Sequence, residues 1–351
     1  MTADAWKQLV DVNRLTEWMD LKALEHGPIL DIVPITGGTQ NLLLRFRRGD
    51  GKYVLRRPPQ HPRMDGTAIM QREARVLDAL KGTSVPHARL IASCDDKTII
   101  GAGFYLMEPV VGFTPTGTLP PLFVERADYR QRIGLSMVEA IAELGMVDYE
   151  AVGLSDFGKV EGYIDRQVGR WRSQLEGYRE YAGWPGPDSI PGHQEIGNWL
   201  EANKPASFKP GIVHGDYHLA NVMFHVDRPE VAAIVDWELA TIGDPLIDLG
   251  WLIATWPDPD GASIVPNLEA SPWNNFVQAD ELAACYARYS QRDLSDLDWY
   301  IVLACYKLGI LLEGTYARAC AGKAPIDIGN TLHAATLRVF GRALKRIARA
   351  N

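Results

Sequence analysis

The chain has 351 residues, 46% of them apolar and 23% charged, and carries 36 basic against 44 acidic side chains for a formal charge of −8. That length exceeds what a single core ordinarily organises, so two domains are expected. The acidic balance excludes a general nucleic-acid binder, whose phosphate contacts need a cationic surplus.

Residues 5–25 place Trp6, Leu9, Val10, Leu15, Trp18, Leu21 and Leu24 at helical spacing, and Gly27-Pro28 ends that run. Short strand-like stretches follow, "ILDIVPI", "NLLLRFRR" and "KYVLRRP", with Asp50-Gly51 as a hairpin signal between the last two. Ile69, Ala74, Val76, Leu77 and Leu80 give residues 68–81 an apolar helical side. Two more strands are predicted at 87–93 and 103–110. Beyond "PVVGFTPTG" the texture turns helical, with patterns over 123–149, 160–182, 193–203, 276–290, 293–321 and 327–349. Strand signals in that half are confined to 222–226 and 231–236. The expectation is an α+β, bilobal molecule: residues 1–109 form an antiparallel sheet with one helix against it, and 110–351 form a larger, mainly helical lobe behind a hinge near 109–113.

Cys94, Cys285, Cys305 and Cys320 show no CxxC or metal-ligand spacing and read as free thiols of a reducing compartment. No basic-then-apolar leader opens the chain, and no run approaches the ~20 apolar residues of a membrane span. A cytoplasmic protein without a membrane partner is expected.

The chemistry concentrates in "IVHGDYHLANVMF", residues 212–224, where Asp216 and Asn221 stand on a short polar connection between apolar runs. Asp236 closes the next apolar run, "VAAIVDW". If 222–226 and 231–236 form a hairpin, Asn221 and Asp236 face one site. Their hard oxygens suit Mg²⁺, which takes few protein ligands plus phosphate oxygens. Asp216 is then placed to accept a proton from an attacking hydroxyl. His214 and His218, four apart, lack the glutamate of an HExxH zinc site, and His214 reads as packing under the loop.

"HGDYHLAN" followed by "IVDWE" resembles the H-x-D-x-x-x-x-N and D-x-[ED] pair of the aminoglycoside phosphotransferase/choline kinase family, small-molecule kinases with a protein-kinase-like fold. The likeness begins near residue 30 and runs over nearly the whole chain. "ATIGDPLIDLGWLIATW" is closest to the kinase-like domains associated with acyl-CoA dehydrogenases. The resemblance implies ATP and Mg²⁺ as cofactors and a small-molecule hydroxyl as acceptor. It implies Asp216 as the base and Asn221 and Asp236 as metal ligands. It also implies a phosphate-covering loop at Gly37, Gly38, Thr39 and Asn41, whose glycines let backbone N–H groups approach phosphates. Arg56, in place of the usual strand lysine, would meet phosphate and pair with Glu73; Arg57 beside it competes for that register, since a strand points only one of the two inward. The backbone of Glu108 and Val110 would hold adenine, and Asp248 would anchor the loop. Gly215 replaces the arginine of protein kinases, so control by activation-loop phosphorylation is not expected.

For the acceptor, two readings stand. Asp258, Asp260 and Glu269 offer a modest acidic set to a polycationic aminoglycoside. Arg166, Arg170 and Trp171, on one side of "YIDRQVGRWRSQLEGYREY", offer an anionic acceptor such as a hydroxyacyl-CoA a binding face. The reading from another class is a silent nucleotide-binding pseudokinase, against which Asp216, Asn221 and Asp236 are all retained.

Overall fold

The computed structural model describes residues 5–35, 41–62, 64–266 and 268–350. It divides into two compact units, Met1–Gly112 with Ala232–Ala240, and Phe113–Val231 with Thr241–Asn351. The division comes after Gly112, and residues 232–240 belong with the first unit although their sequence position had placed them in the second.

In the first unit the expected helix over 5–25 is broken into a 3₁₀ turn (Ala5–Gln8) and α1 (Val12–Leu21). Asp11 causes the break, because its carboxylate caps the free amides of Asn13 and Arg14 and starts a new helix. Strands β1 (Leu30–Pro34), β2 (Leu42–Arg48) and β3 (Gly51–Arg57), helix α2 (Gly66–Ala79), strand β4 (Leu90–Cys94), the single turn α3 (Lys97–Ile100) and strand β5 (Phe104–Met107) follow. The five strands form an antiparallel sheet in the order β1-β2-β3-β5-β4. Arg48 pairs with Gly51, so the two-residue loop is Gly49-Asp50, one residue earlier than the Asp50-Gly51 signal. Gly49 takes φ +55°, the left-handed conformation that the first position of such a loop requires.

Residues 53–57 of β3 are all buried, because both faces of the sheet are covered. Trp18 and Met19 of α1 pack with Leu44, Phe46, Tyr53, Leu55 and Phe104, and Trp18 meets the Phe104 ring edge-on at 4.8 Å. The alternation that sends Tyr53 and Leu55 to this face sends Arg56 to the other. Arg57 lies on the α1 side, where its guanidinium donates to the Leu9 carbonyl. The register question is thereby answered.

The second unit contains β6 (Gly117–Thr118), α4 (Pro121–Glu125), α5 (Ala127–Met146), α6 (Asp165–Gly177), α7 (His193–Ala202), β7 (Gly211–Val213) and β8 (Val222–Phe224). After β9 (Val231–Ile234) it resumes with β10 (Thr241–Gly243), α8 (Leu246–Thr255), β11 (Ala270–Ser271), α9 (Ala279–Tyr289), α10 (Leu297–Cys320) and α11 (Ile326–Ala350). Two short pairs, β7 with β10 and β6 with β11, escaped the sequence reading, since strands of two or three residues carry no alternation to detect.

All ten residues of α8 are buried, and α10 packs on α8, α11, α6 and α7. Helix α10 is long and apolar enough to meet the length and composition of a membrane span, against the expectation that no stretch comes near. Its most apolar window is 72% buried inside the unit, as a central core helix must be.

Candidate active site

Two clusters of the expected residues are formed, one in each unit. In the first, Arg56 pairs across the sheet with Tyr105 of β5, and α2 lays Glu73 against both. The Arg56 guanidinium lies 2.9 Å from Glu73 Oε2 and donates to Asp236 Oδ1 at 2.6 Å. The Tyr105 hydroxyl donates to Glu73 Oε2 at 2.9 Å. Glu73 is fully buried, so the solvated charged face that Arg72 and Arg75 suggest for this helix is not its environment.

Burial pushes the Glu73 carboxyl up to about 7, against the pull of Arg56 and of the Tyr105 hydroxyl. Burial works the other way on Arg56, yet Glu73, Tyr105 and Asp236 hold its proton more firmly than usual. The result is a permanent cation fixed by two carboxylates. Asp236 follows β9 at φ +68°, a conformation uncommon outside glycine that turns its carboxylate back toward Arg56. Segment 232–240 is tied to the rest of the unit by the Ile234 amide, which donates to the Pro86 carbonyl at 2.9 Å, and by Arg72, which donates to the Ala240 carbonyl.

In the second unit, β7 ends at Val213 and delivers the loop that opens with His214. Asp248, in the first turn of α8, accepts the amides of His214 (2.7 Å) and Gly215 (2.8 Å), one on each oxygen. Gly215 has φ +87°, where a side chain would be strained. The Tyr217 hydroxyl donates to the Met137 carbonyl and pins the loop to α5. The Asn221 amide donates to the Asp216 carbonyl (2.9 Å) and to Asp216 Oδ2 (3.0 Å), while His218 lies 3.4 Å from Oδ1. Burial opposes ionisation of Asp216, but His218, His214 and Lys307 outweigh it and hold the carboxyl at about 2. Asp216 is therefore an oriented carboxylate, ionised at neutral pH. Asp248, by contrast, is raised by burial despite its two amide donors.

The other expected residues divide. Gly37, Gly38 and Thr39 lie outside the described residues. Asn41 donates to Glu238 Oε2 at 3.5 Å. Glu108 directs its amide to the Arg89 carbonyl and pairs its side chain with the Arg89 guanidinium, and Val110 lies half-buried just beyond β5. Arg166 is engaged locally, donating to the Lys159 and Glu161 carbonyls just before α6. Arg170 instead lies over the ring of Trp171, 5.1 Å from its centre.

Three residues escaped the sequence reading. Tyr105 and Lys307 sit inside apolar runs ("FYLM" and "ACYKLGILL") where nothing local marks them, although a lone lysine in such a run is itself a signal. Glu238 was visible as the last residue of "IVDWE".

Carboxylate oxygens of Glu73, Asp236 and Glu238 lie within 4.8 Å of one another. Glu73 is fully buried against Arg56 and Tyr105, whereas Asp236 and Glu238, which also accept from Arg56 and Asn41, are partly exposed and are the hard oxygen donors of this cluster that solvent reaches. In the second unit the Asn221 amide nitrogen is turned to Asp216, and its other terminus is a hard carbonyl oxygen. This donor chemistry fits Mg²⁺ and is wrong for a thiophilic metal.

A model described as "Phosphotransferase enzyme family" matches residues 31–284. Acyl-CoA dehydrogenase family member 11 of Rattus norvegicus is 30% identical over 307 residues, covering 85% of this chain and 38% of that protein. The chain thus spans well under half the length of this relative. The crystal structure of a putative aminoglycoside phosphotransferase from Ralstonia eutropha superposes with a TM-score of 0.79 at 29% identity, covering 95% of this chain and 98% of the other. Choline kinase from Cryptosporidium parvum shares the fold, with a TM-score of 0.64 at 12% identity over 97% of this chain and 96% of the other.

Proposed function

Because the chain belongs to the phosphotransferase enzyme family and is a small-molecule kinase, we propose that it transfers the γ-phosphoryl group of ATP to an acceptor hydroxyl, with Mg²⁺ and with Asp216 as base. The observation that carries this is the Asp216 loop: an ionised carboxylate, oriented by Asn221 and His218, on a turn fixed by Asp248. A carboxylate held at about 2 is a weak base. It orients the hydroxyl and receives its proton late, which suffices for the loose transition state of phosphoryl transfer.

Arg56, held through Nε and Nη2 by Glu73 and Asp236, is assigned to the phosphates as a fixed positive charge. Asn221, Asp236 and Glu238 are assigned to Mg²⁺, which when bound neutralises phosphate charge. The glycines at 37–38 and the backbone of Glu108 and Val110 keep their assigned parts in holding ATP.

The acceptor proposed first is a hydroxyacyl-CoA or a related metabolite, on the kinship with an acyl-CoA dehydrogenase family member. Against an aminoglycoside stands Asp258, whose charge is already matched by Arg342 at 2.7 Å. The test is ADP release from Mg-ATP with hydroxyacyl-CoA thioesters and with aminoglycosides, alongside Asp216→Ala. Acceptor-dependent turnover that falls by about 10²–10⁴ in the variant is expected, the range of a positioned base. Equal turnover in wild type and variant would refute the part given to Asp216.

A further inference from the structure

Lys307 stands midway along α10 in a stretch that is otherwise buried. Its ammonium donates to the Gly215 carbonyl at 2.8 Å, one residue from Asp216. It also lies over two indoles, 4.2 Å from the ring centre of Trp251 and 5.7 Å from that of Trp171. An ammonium has three N–H donors, and Gly215 accepts one. Among the described residues no carboxylate forms an ion pair with it. Asp248 spends its oxygens on two amides, and those of Asp216 face Asn221 and His218.

The flanking indoles are in the same condition. Trp171 is 5% and Trp251 3% exposed, and neither indole N–H has an acceptor among the described residues. Buried donors in native proteins nearly always find partners. Arg170 contributes a further cation over the Trp171 ring. Among the described residues the cations of this cluster are met by the Gly215 carbonyl and by the indole faces, and the two indole N–H groups have no acceptor. What completes it is a group with several oxygen lone pairs and a negative charge.

We propose that Lys307, Trp171, Trp251 and Arg170 form a subsite for an oxyanion, a carboxylate or phosphate carried by the acceptor beside its reacting hydroxyl. Calling the ligand an acceptor rests on the kinase reading of Asp216; the anion site itself does not. A polycationic acceptor is disfavoured there by Lys307 and Arg170.

The test is calorimetric titration of the nucleotide-free protein, at fixed ionic strength in chloride, with inorganic phosphate and separately with lactate. Saturable binding of at least one probe is expected in wild type. It should weaken about tenfold or more in Lys307→Met and recover to within about threefold of wild type in Lys307→Arg. Binding of phosphate alone identifies a phosphorylated acceptor, and binding of lactate alone a hydroxy acid. Absence of binding to both probes in wild type, or unchanged affinity in Lys307→Met, overturns the proposal. Should Lys307→Met fail to fold, Trp251→Phe and Trp171→Phe each remove one indole N–H and should each weaken binding about threefold; unaltered affinity in both overturns it equally. No step of this titration needs turnover, so failure of the kinase reading leaves its result intact.

Discussion

Replacing Tyr105 by phenylalanine removes one hydroxyl and tests the brace behind Arg56. The side chain is 2% exposed, and its hydroxyl donates at 2.9 Å to Glu73 Oε2. Hydrogen bonds to charged groups contribute about 1.5–3 kcal/mol. Glu73 retains Arg56 in the variant, and the gap left is only one oxygen, so a loss of about 2 kcal/mol is expected. For a unit between small and medium size, at roughly 4 °C per kcal/mol, the melting transition should fall by about 8 °C. A double-mutant cycle with Glu73→Gln, followed by thermal unfolding, should return a coupling of about 1–2 kcal/mol. Nucleotide affinity, read by calorimetry with Mg-ATP, should fall severalfold because Arg56 loses part of its orientation. A variant within about 0.5 kcal/mol of wild type, or a cycle that is simply additive, would refute the idea that Tyr105 braces the Arg56–Glu73 pair.

Lys307 gives a stability prediction with a definite sign. Burial lowers its ammonium to about 8, against the support of Asp216 and Asp248 and with the repulsion of Arg170. Below about pH 8 both folded and unfolded chains carry the proton; between there and the ordinary lysine value of about 10.4 only the unfolded chain does. Wild type should therefore gain stability relative to Lys307→Met as pH rises from 7 to 10.5, by about 2–3 kcal/mol at about 1.4 kcal/mol per pKa unit. Parallel urea titrations at the two pH values check this, and a difference that is flat or falls with pH would contradict it. Gly250→Ala tests the seam between α8 and α10: an added Cβ would sit 2.7 Å from the Tyr300 backbone carbonyl. The clash should outweigh the better helix propensity of alanine and cost about 1–3 kcal/mol in chemical denaturation. An unchanged denaturation midpoint would show that the seam yields.

The sequence was most informative where a pattern runs long enough to be periodic. The helices α2, α5, α9, α10 and α11 and the strands β2 and β3 were legible for that reason, and so was the loop from His214 to Asn221, whose spacing is tied to its chemistry. What stayed hidden depends on contacts between distant segments. Arg56 could not be separated from Arg57 until α1 was seen to cover one face of the sheet and α2 the other. Tyr105 acquires a part only because β5 lies beside β3. Lys307 matters through Gly215, ninety-two positions away in the chain. The broken N-terminal helix was a local miss, an N-cap aspartate overlooked inside an apolar rhythm.

The segment 232–240 has a consequence for how the protein is made. It belongs to the first unit, contributes the Asp236 partner of Arg56, and reaches its place only after the chain has left that unit at Gly112. Domains tend to fold as units during synthesis, at about 5–20 residues per second. Here the N-terminal unit cannot finish when its own contiguous stretch emerges. Until residue 240 is available, the Pro86 carbonyl lacks its donor from Ile234 and the Arg56 guanidinium holds one carboxylate rather than two. The nascent first unit thus waits roughly ten seconds, at those rates, for its last piece. Early termination anywhere in that interval leaves a sheet in which Arg56 keeps Glu73 but lacks Asp236, and in which the Pro86 carbonyl has no Ile234 donor.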